Sequence, residues 1–485
     1  MTSLARDLPY ELDFLHRIGE IRVNGTPVHS TPYLERYALW QRFSQIIFAT
    51  EIKRFAKTKR FDAYMRGEGG GSIKSFLTEL VGLAISKLAL LSLLFVRPEI
   101  VIFGIDRVSD AQHAADFRLA SIYEYCKTHH IRYREILHTV FNRSFLVNMM
   151  RRPRLSFYLE AVDTFYTALC ALGLRPRRHP LAFGELSGFT EEEARFARHI
   201  IRKYLGEEDK MRFRIRVLSA FLACARPKAV WMIDDTRHYQ ELILAARSRS
   251  IPTYAFQHGH FTKYHVGWLR DARTSLESIH PDHLVVANKY WKRELARLGS
   301  VFPPDSVIVG GAMLGGQGFA SKSPNSVVLT ILTPHETDSP KDGVARVMNQ
   351  LIDAGFVVVF KLRPDYSREQ QLAEYPGIRG ENIRTVSSLT ELDARPNVVI
   401  GVYSSLLYDF VEAGIPVGIL GDLSDYGSGM VENGLANLIH SDDRLLADIA
   451  TLAALPSTEL EARRQAFVQP TISFRETLDS IRMHP

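Results

Sequence analysis

Val398-Val399-Ile400-Gly401-Val402-Tyr403-Ser404-Ser405-Leu406-Leu407-Tyr408-Asp409 is the stretch on which the fold turns. Its opening apolar run, 398–402, has the pattern of a strand buried on both faces. The run breaks at two serines and resumes with helical spacing over about 405–413. It then returns through Gly414-Ile415-Pro416 to a second apolar run, 416–420. Strand, polar turn, helix and strand make a βαβ unit, whose repetition gives a parallel sheet with crossover helices. Serines at the start of that helix face unpaired N–H groups and the positive end of the dipole, where phosphate binds. An ordinary serine N-cap is the competing reading. Asp409 follows about one turn later on the same helix face, within reach of a sugar hydroxyl.

The alternation extends outward in both directions. Upstream of the serines the spacing predicts strands at 327–332, 356–362 and 383–386 and a helix around 341–354. Further upstream it predicts strands at 99–104, 228–233, 253–256, 282–287 and 307–311, with helices over 190–205 and 289–298 and helical stretches between about 105 and 190. Glu191, Glu192 and Glu193 open the 190–205 helix, where its dipole favours acids. A Gly/Ser/Pro-rich stretch, 312–325, divides the two series and reads as a linker. The class is α/β, with two Rossmann-type domains, 96–311 and 326–455. A helical and basic appendage, 1–95, precedes them and a helical tail, 456–485, follows.

Polar clusters stand at the strand ends, where open α/β sheets bind ligands. Asp234 and Asp235 follow the 228–233 strand and are candidates for a general base, or one of them caps the next helix. Gln257-His258-Gly259-His260 follows the 253–256 strand. A glycine there lets backbone approach a ligand, and a histidine near neutrality can pass a proton. His258, His260 and His265 match no strong metal-ligand spacing, and no metal site is assigned. Lys361 and Arg363 end the 356–362 strand, where a point charge and a bidentate cation suit phosphate. His335 and Glu336 end the preceding strand as their spatial neighbours. There is no GxGxxG fingerprint, no GxxxxGK[ST] loop and no GxSxG elbow. Dehydrogenase, P-loop and hydrolase readings weaken accordingly.

The bulk of the chain agrees with a two-core enzyme. It has 485 residues, 46% hydrophobic and 24% charged, too many for one core. A net charge of +6 suits anionic partners without choosing among them. Three scattered cysteines and an N-terminus without an apolar signal core make a reducing, cytoplasmic setting the expectation. Phe76 to Val96 is strongly apolar but carries Glu79 and Lys87, and reads as a buried or interfacial helix rather than a span. The basic-aromatic run 51–61 before it is either a solvated helix face or part of an anionic-membrane contact through residues 51–96.

Taken together, the clusters in 228–420 resemble the GT-B glycosyltransferases of bacterial surface polysaccharide (capsule and lipopolysaccharide) synthesis, relatives of Kdo transferases and teichoic-acid glycerophosphotransferases. Tyr403-Ser404-Ser405 with Asp409 is similar to their paired-serine motif. Lys361-Leu362-Arg363-Pro364 stands where they usually have Lys-x-His-Pro, and Gln257-His258-Gly259 is similar to their loop beside the reaction centre. The resemblance implies two facing Rossmann-type domains, an acceptor side and a nucleotide-donor side. It implies that Ser404 and Ser405 hold donor phosphate, that Asp409 binds ribose, and that the Lys361–Arg363 element contacts the nucleotide. It also implies a metal-independent transfer in which the nucleotide-sugar is a substrate and no cofactor takes part. Arg363 in place of histidine leaves the nucleotide open. A nucleotide-sugar epimerase of the same architecture and a non-catalytic membrane-associated assembly protein are the other readings. Nothing in the sequence is a nucleic-acid recognition motif.

Overall fold

Two parallel sheets carry the chain in the computed structural model. The structure describes residues 10–34, 36–66, 73–93, 95–106, 116–139, 143–152, 154–174, 181–233, 239–313, 330–334, 341–362, 367–375, 377–379, 383–392, 395–468 and 472–483. The first sheet comprises β1 (Ile100–Ile105), β2 (Tyr133–His138), β3 (Phe157–Tyr158), β4 (Ala229–Ile233), β5 (Thr253–Phe256), β6 (His283–Val286) and β7 (Val307–Val309). Its order is β7-β6-β5-β4-β1-β2-β3, every pairing parallel. The second comprises β8 (Thr330–Pro334), β9 (Val357–Lys361), β10 (Arg384–Val386), β11 (Val398–Gly401), β12 (Val417–Leu420) and β13 (Asn437–Ile439). Its order is β10-β9-β8-β11-β12-β13, again all parallel. Both repeat the doubly wound pattern in which the strand order reverses beside the first strand. That reversal opens a crevice at the carboxyl ends, between β1 and β4 in one sheet and between β8 and β11 in the other.

The strands with unbroken apolar runs form where the sequence predicts them, because β4, β5 and β11 are buried along their whole length. Of the expected 327–332 strand, 327–329 lie outside the described residues, and the described part runs from Thr330 to Pro334. Two strands arise where helical stretches are expected. The tyrosine-led β2 carries Arg134 and Glu135 through its middle, which hides the apolar signal. Glu135 is nevertheless buried, because Tyr123 and Ser156 donate to its carboxylate at 2.6 and 3.0 Å. The two-residue β3 is too short to leave a pattern. Helix 191–205 starts with a capping box, Thr190 with Glu193, as its acidic first turn suggests.

Residues 10–66 pack onto the first sheet's helices. Phe14 lies 5.7 Å from both Phe55 and Phe196, and Phe55 stacks on Phe196 at 4.3 Å. Phe55 of the basic run therefore faces the core, while Lys57 to Arg60 face solvent. At the other end of the chain, helix Ser457–Val468 sits on the second unit, where Arg464 donates to the Glu412 carbonyl at 2.9 Å. The last helix, Phe474–Met483, crosses back to the first. Phe474 packs edge-on against Phe256 and Tyr125 donates to Asp479 at 2.5 Å. Gly311 permits this return. Its φ is +75°, and a Cβ there would stand 2.6 Å from the Phe474 nitrogen and 2.8 Å from the Ile472 carbonyl.

Candidate active site

A cavity of about 420 Å³ lies where the two sheets turn their carboxyl ends toward each other. From the first unit, the loop after β5 contributes Gln257, His258, Gly259 and His260, and the helix after β6, Lys289–Leu298, contributes its cap Asn288 and Trp291. From the second unit come Ser405, Tyr408, Asp409 and Glu412, and Phe467 closes one side. Residues about 150 positions apart in sequence thus share one wall-to-wall space.

The histidine loop is held by its first residue. The Gln257 side chain donates to the Gly259 carbonyl at 2.7 Å and accepts from the Ala287 N–H at 2.9 Å, and its own N–H bonds Val285 at 2.9 Å. Those three bonds fix the path of 258–259 past the cavity, so Gln257 is a positioning residue. His260 packs its ring edge-on against Tyr403 at 5.0 Å and near Tyr408 at 5.9 Å. Burial, reinforced by His265 and His258, pushes its pKa down to about 3. It remains neutral at any physiological pH and does not retain a proton taken from a substrate.

On the opposite wall, the helix Leu406–Glu412 follows β11 after a short turn. The two serines behave differently. The Ser404 hydroxyl accepts from the Leu406 N–H at 3.3 Å, so this serine performs the capping. The Leu407 and Tyr408 N–H groups bond the Ser404 and Ser405 carbonyls at 3.2 and 3.1 Å. Donors of the first turn are therefore engaged internally, and the Ser405 side chain makes no cap bond. It is exposed on the cavity wall, free to meet a ligand. Asp409 sits one turn deeper, where burial and then the neighbouring Glu412 carboxylate raise its pKa to about 7.

Lys361 ends β9, two strands from β11, and does not line this cavity. Its ammonium donates to the Leu362 carbonyl at 2.6 Å, and burial holds its pKa below the usual lysine range. Asp234, Asp235, His335, Glu336 and Arg363 lie outside the described residues. Among the described residues, no group of three or more His, Cys, Asp or Glu side chains is placed to hold a metal ion. The buried hydroxyl of Thr333, on the first strand at the β8–β11 crevice, has no hydrogen-bond partner.

A polar and aromatic clasp joins the two units behind the cavity. Lys263 and Tyr264, just past the histidine loop, both reach Asp425 of the second unit, at 2.5 and 2.6 Å. Burial alone would raise the Asp425 pKa, but the bonds from Lys263 and Tyr264 hold it below the usual range. Tyr264 stacks on Tyr426 at 4.1 Å, and Tyr426 lies 5.1 Å from Tyr403, the residue before the serines. Lys53, from the N-terminal segment, places its ammonium 4.7 Å over the Tyr426 ring. On the other side of the cavity Trp291 packs on Tyr408 at 4.7 Å. Sequence reading misses Asp425, Tyr426 and Trp291, since no periodicity relates a loop residue to a partner some 160 positions away.

Two doubly wound sheets, a cavity between their carboxyl ends and a last helix that returns to the first unit together define the architecture. The fold is GT-B-like. No protein-family model matches the chain, and no curated protein matches it. Among solved structures, it is similar to CalG4, the calicheamicin glycosyltransferase, at 11% identity and a TM-score of 0.48, covering 80% of this chain and 98% of that one. It is also similar to a UDP-GlcNAc 2-epimerase from Neisseria meningitidis bound to UDP-GlcNAc, at 15% identity and a TM-score of 0.46, with 80% and 99% covered. MurG of Acinetobacter baumannii has 11% identity and a TM-score of 0.45, with 80% and 100% covered.

Proposed function

We propose that this chain is a glycosyltransferase that moves a sugar from a nucleotide-activated donor, a pyrimidine nucleotide such as a CMP-linked sugar, to a hydroxyl of a bacterial surface glycan or lipid-linked acceptor. The observation that carries the reading is the shared cavity. One wall offers a histidine, and the other offers a free serine hydroxyl with a protonatable carboxylate behind it. In this reading Ser404 and Ser405 hold donor phosphate through their hydroxyls, with Arg363 adding positive charge and His335 and Glu336 beside it, while Lys361, outside the cavity and turned onto the Leu362 carbonyl, makes no direct phosphate contact. The acceptor oxygen bonds to the anomeric carbon while the bond from that carbon to the phosphate oxygen breaks. The acceptor proton passes to His258, Asp234 or Asp235, and the nucleotide leaves with the electron pair. His260 is a poor base by comparison, because a pKa of about 3 leaves no drive to hold the proton.

The test is a nucleotide panel followed by product analysis. CMP, CDP, UDP, GDP and their sugar conjugates are screened by thermal shift, since a bound donor-site ligand raises Tm by mass action. A pyrimidine nucleotide is expected to stabilise the chain, with sugar release dependent on an added glycan acceptor. Conversion of the donor sugar without any acceptor would instead favour an epimerase, a reading that the Asp409 carboxyl, raised to about 7 by burial and Glu412 in the cavity that His258 also lines, keeps in play. No response to any nucleotide would sink both.

Asp409 gives this reading a pH signature. In the free protein its carboxyl is half-protonated near pH 7. Ribose hydroxyls donate to the ionised form, so binding lowers its pKa, and affinity is expected to rise as pH increases from 6 to 8 and then level off. The Asp409→Asn variant is expected to bind about tenfold more weakly and to lose this dependence. An affinity that falls over the same range would place the protonated acid against phosphate rather than the carboxylate against ribose. Stability runs the opposite way. A raised carboxyl pKa means that the folded state binds more protons, so this group's contribution is lost as pH rises from about 4 to about 7.

A further inference from the structure

We infer that the outer face of the helix Ile73–Ser92, continued by Phe95, is a docking surface for an anionic lipid bilayer on which the protein lies without crossing it. The helix is inverted relative to an ordinary surface helix. Thr78, Gly82, Ser86 and Ala89 are its buried positions, and the Ser86 hydroxyl accepts from the Tyr158 N–H at 3.0 Å, bringing the helix against β3. Leu83 and Ile85 pack inward, but four large apolar side chains point away: Leu80 is 43% exposed, Leu88 52%, Leu91 55% and Phe95 86%. With Ala84 these positions recur every three or four residues, a stripe roughly 16 Å long from Leu80 to Leu91. A solvated helix shows the reverse arrangement, and contiguous exposed apolar surface marks an interaction site.

The neighbouring elements extend the same face. Tyr158 meets Ser86 and Thr164 donates to Glu79 at 3.3 Å, so helix Leu159–Ala171 runs antiparallel to this one and is followed by exposed Leu172. Helix Arg143–Arg151 packs beside them and ends in exposed Met150. The charges that are exposed here are cationic: Lys87 on the stripe, Arg97 beyond Phe95, and Arg151 and Arg154 beyond Met150. The nearby carboxylates are withdrawn, Glu79 toward Thr164 and Asp163 toward Arg214, whose Nε donates at 2.6 Å. Charge decides the occupant. A second copy seated on this face by two-fold symmetry would set cations against cations. Anionic headgroups would neutralise them while the leucines enter the acyl boundary. No described helix is long and apolar enough to cross a membrane, so an in-plane position remains.

This surface deepens the proposed function by giving the lipid-linked acceptor a place of encounter, and its test uses neither donor nor acceptor. The full chain is floated with vesicles of phosphatidylcholine alone or with about one-third phosphatidylglycerol. Binding to the anionic vesicles is expected, and weak or no binding to the neutral ones. The variant Leu80→Gln/Leu88→Gln/Leu91→Gln is expected to lose binding about tenfold or more with its Tm unchanged, since these side chains are exposed in the fold. Lys87→Glu/Arg97→Glu is expected to bring anionic binding down to the neutral level. Failure of the full chain to float, or equal flotation of the triple glutamine variant, would overturn the inference. So would a dimer in sedimentation that the triple variant dissolves. Each result leaves nucleotide binding in the cleft untouched, so the two proposals stand or fall separately.

Discussion

Replacing Ser404 and Ser405 together by alanine is expected to abolish nucleotide binding, a drop of about a hundredfold or more. Each hydroxyl that donates to a charged phosphate contributes about 1.5–3 kcal/mol, and the first-turn N–H groups compensate for little of it. The Leu407 and Tyr408 donors stay engaged by the carbonyls of Ser404 and Ser405 in the double variant, and only the Leu406 N–H, released from the Ser404 hydroxyl, becomes available. The single variants should separate two roles. Ser404→Ala loses the cap as well as a ligand contact, and should cost about 1 kcal/mol of stability. Ser405→Ala removes a hydroxyl without a cap bond and should weaken binding with Tm intact. Calorimetric titration of the nucleotide that stabilises the wild type reads all three. Undiminished binding by the double variant would sink the assignment of donor phosphate to this turn.

Glu241→Ala is expected to cost about 3–5 kcal/mol of folding stability, the largest loss anticipated for a single side chain outside the cleft. Glu241 is 1% exposed and is held by Arg42 at 3.2 Å and Arg214 at 3.3 Å. Removing it takes a shared carboxylate from two buried guanidinium groups, of which Arg214 keeps Asp163. Urea unfolding should show the midpoint falling at unchanged slope. A loss below about 1 kcal/mol would mean that water reaches the site. Burial alone would raise the Glu241 pKa, but Arg42 and Arg214 overcome it and hold the carboxyl below its usual range. A depressed pKa contributes stability above the ordinary carboxylate range, and that contribution is lost as pH falls through the depressed value. Arg42 belongs to the N-terminal segment and Arg214 to a helix of the first unit, so the pair also ties the segment to the body of the protein.

Much of this architecture is legible in the sequence, for a local reason. Strands such as Thr253–Phe256 and Val398–Gly401 are buried on both faces, so their apolar runs and bounding turns are written into consecutive residues. The helix Lys289–Leu298, with Asn288 as cap and Gly299 in the left-handed conformation at its end, is equally plain. The strand Tyr133–His138 is not, because Glu135 looks like a surface residue until Tyr123 and Ser156 arrive from elsewhere to satisfy it.

By itself, then, the sequence determined the α/β alternation, its division into two series, and the strand-end positions of Gln257 to His260 and Ser404 to Asp409. Each depends on periodicity and turn chemistry within a dozen residues. Only the tertiary structure decided that these two loops share one cavity, that Ser404 caps while Ser405 stays free, and that Asp409 has a pKa near 7 while His260 stays neutral. It likewise decided that Leu80, Leu88 and Leu91 of the Ile73–Ser92 helix face outward. Burial and Coulombic neighbours set all of these, and they are supplied by segments far away in the chain, which no local pattern encodes.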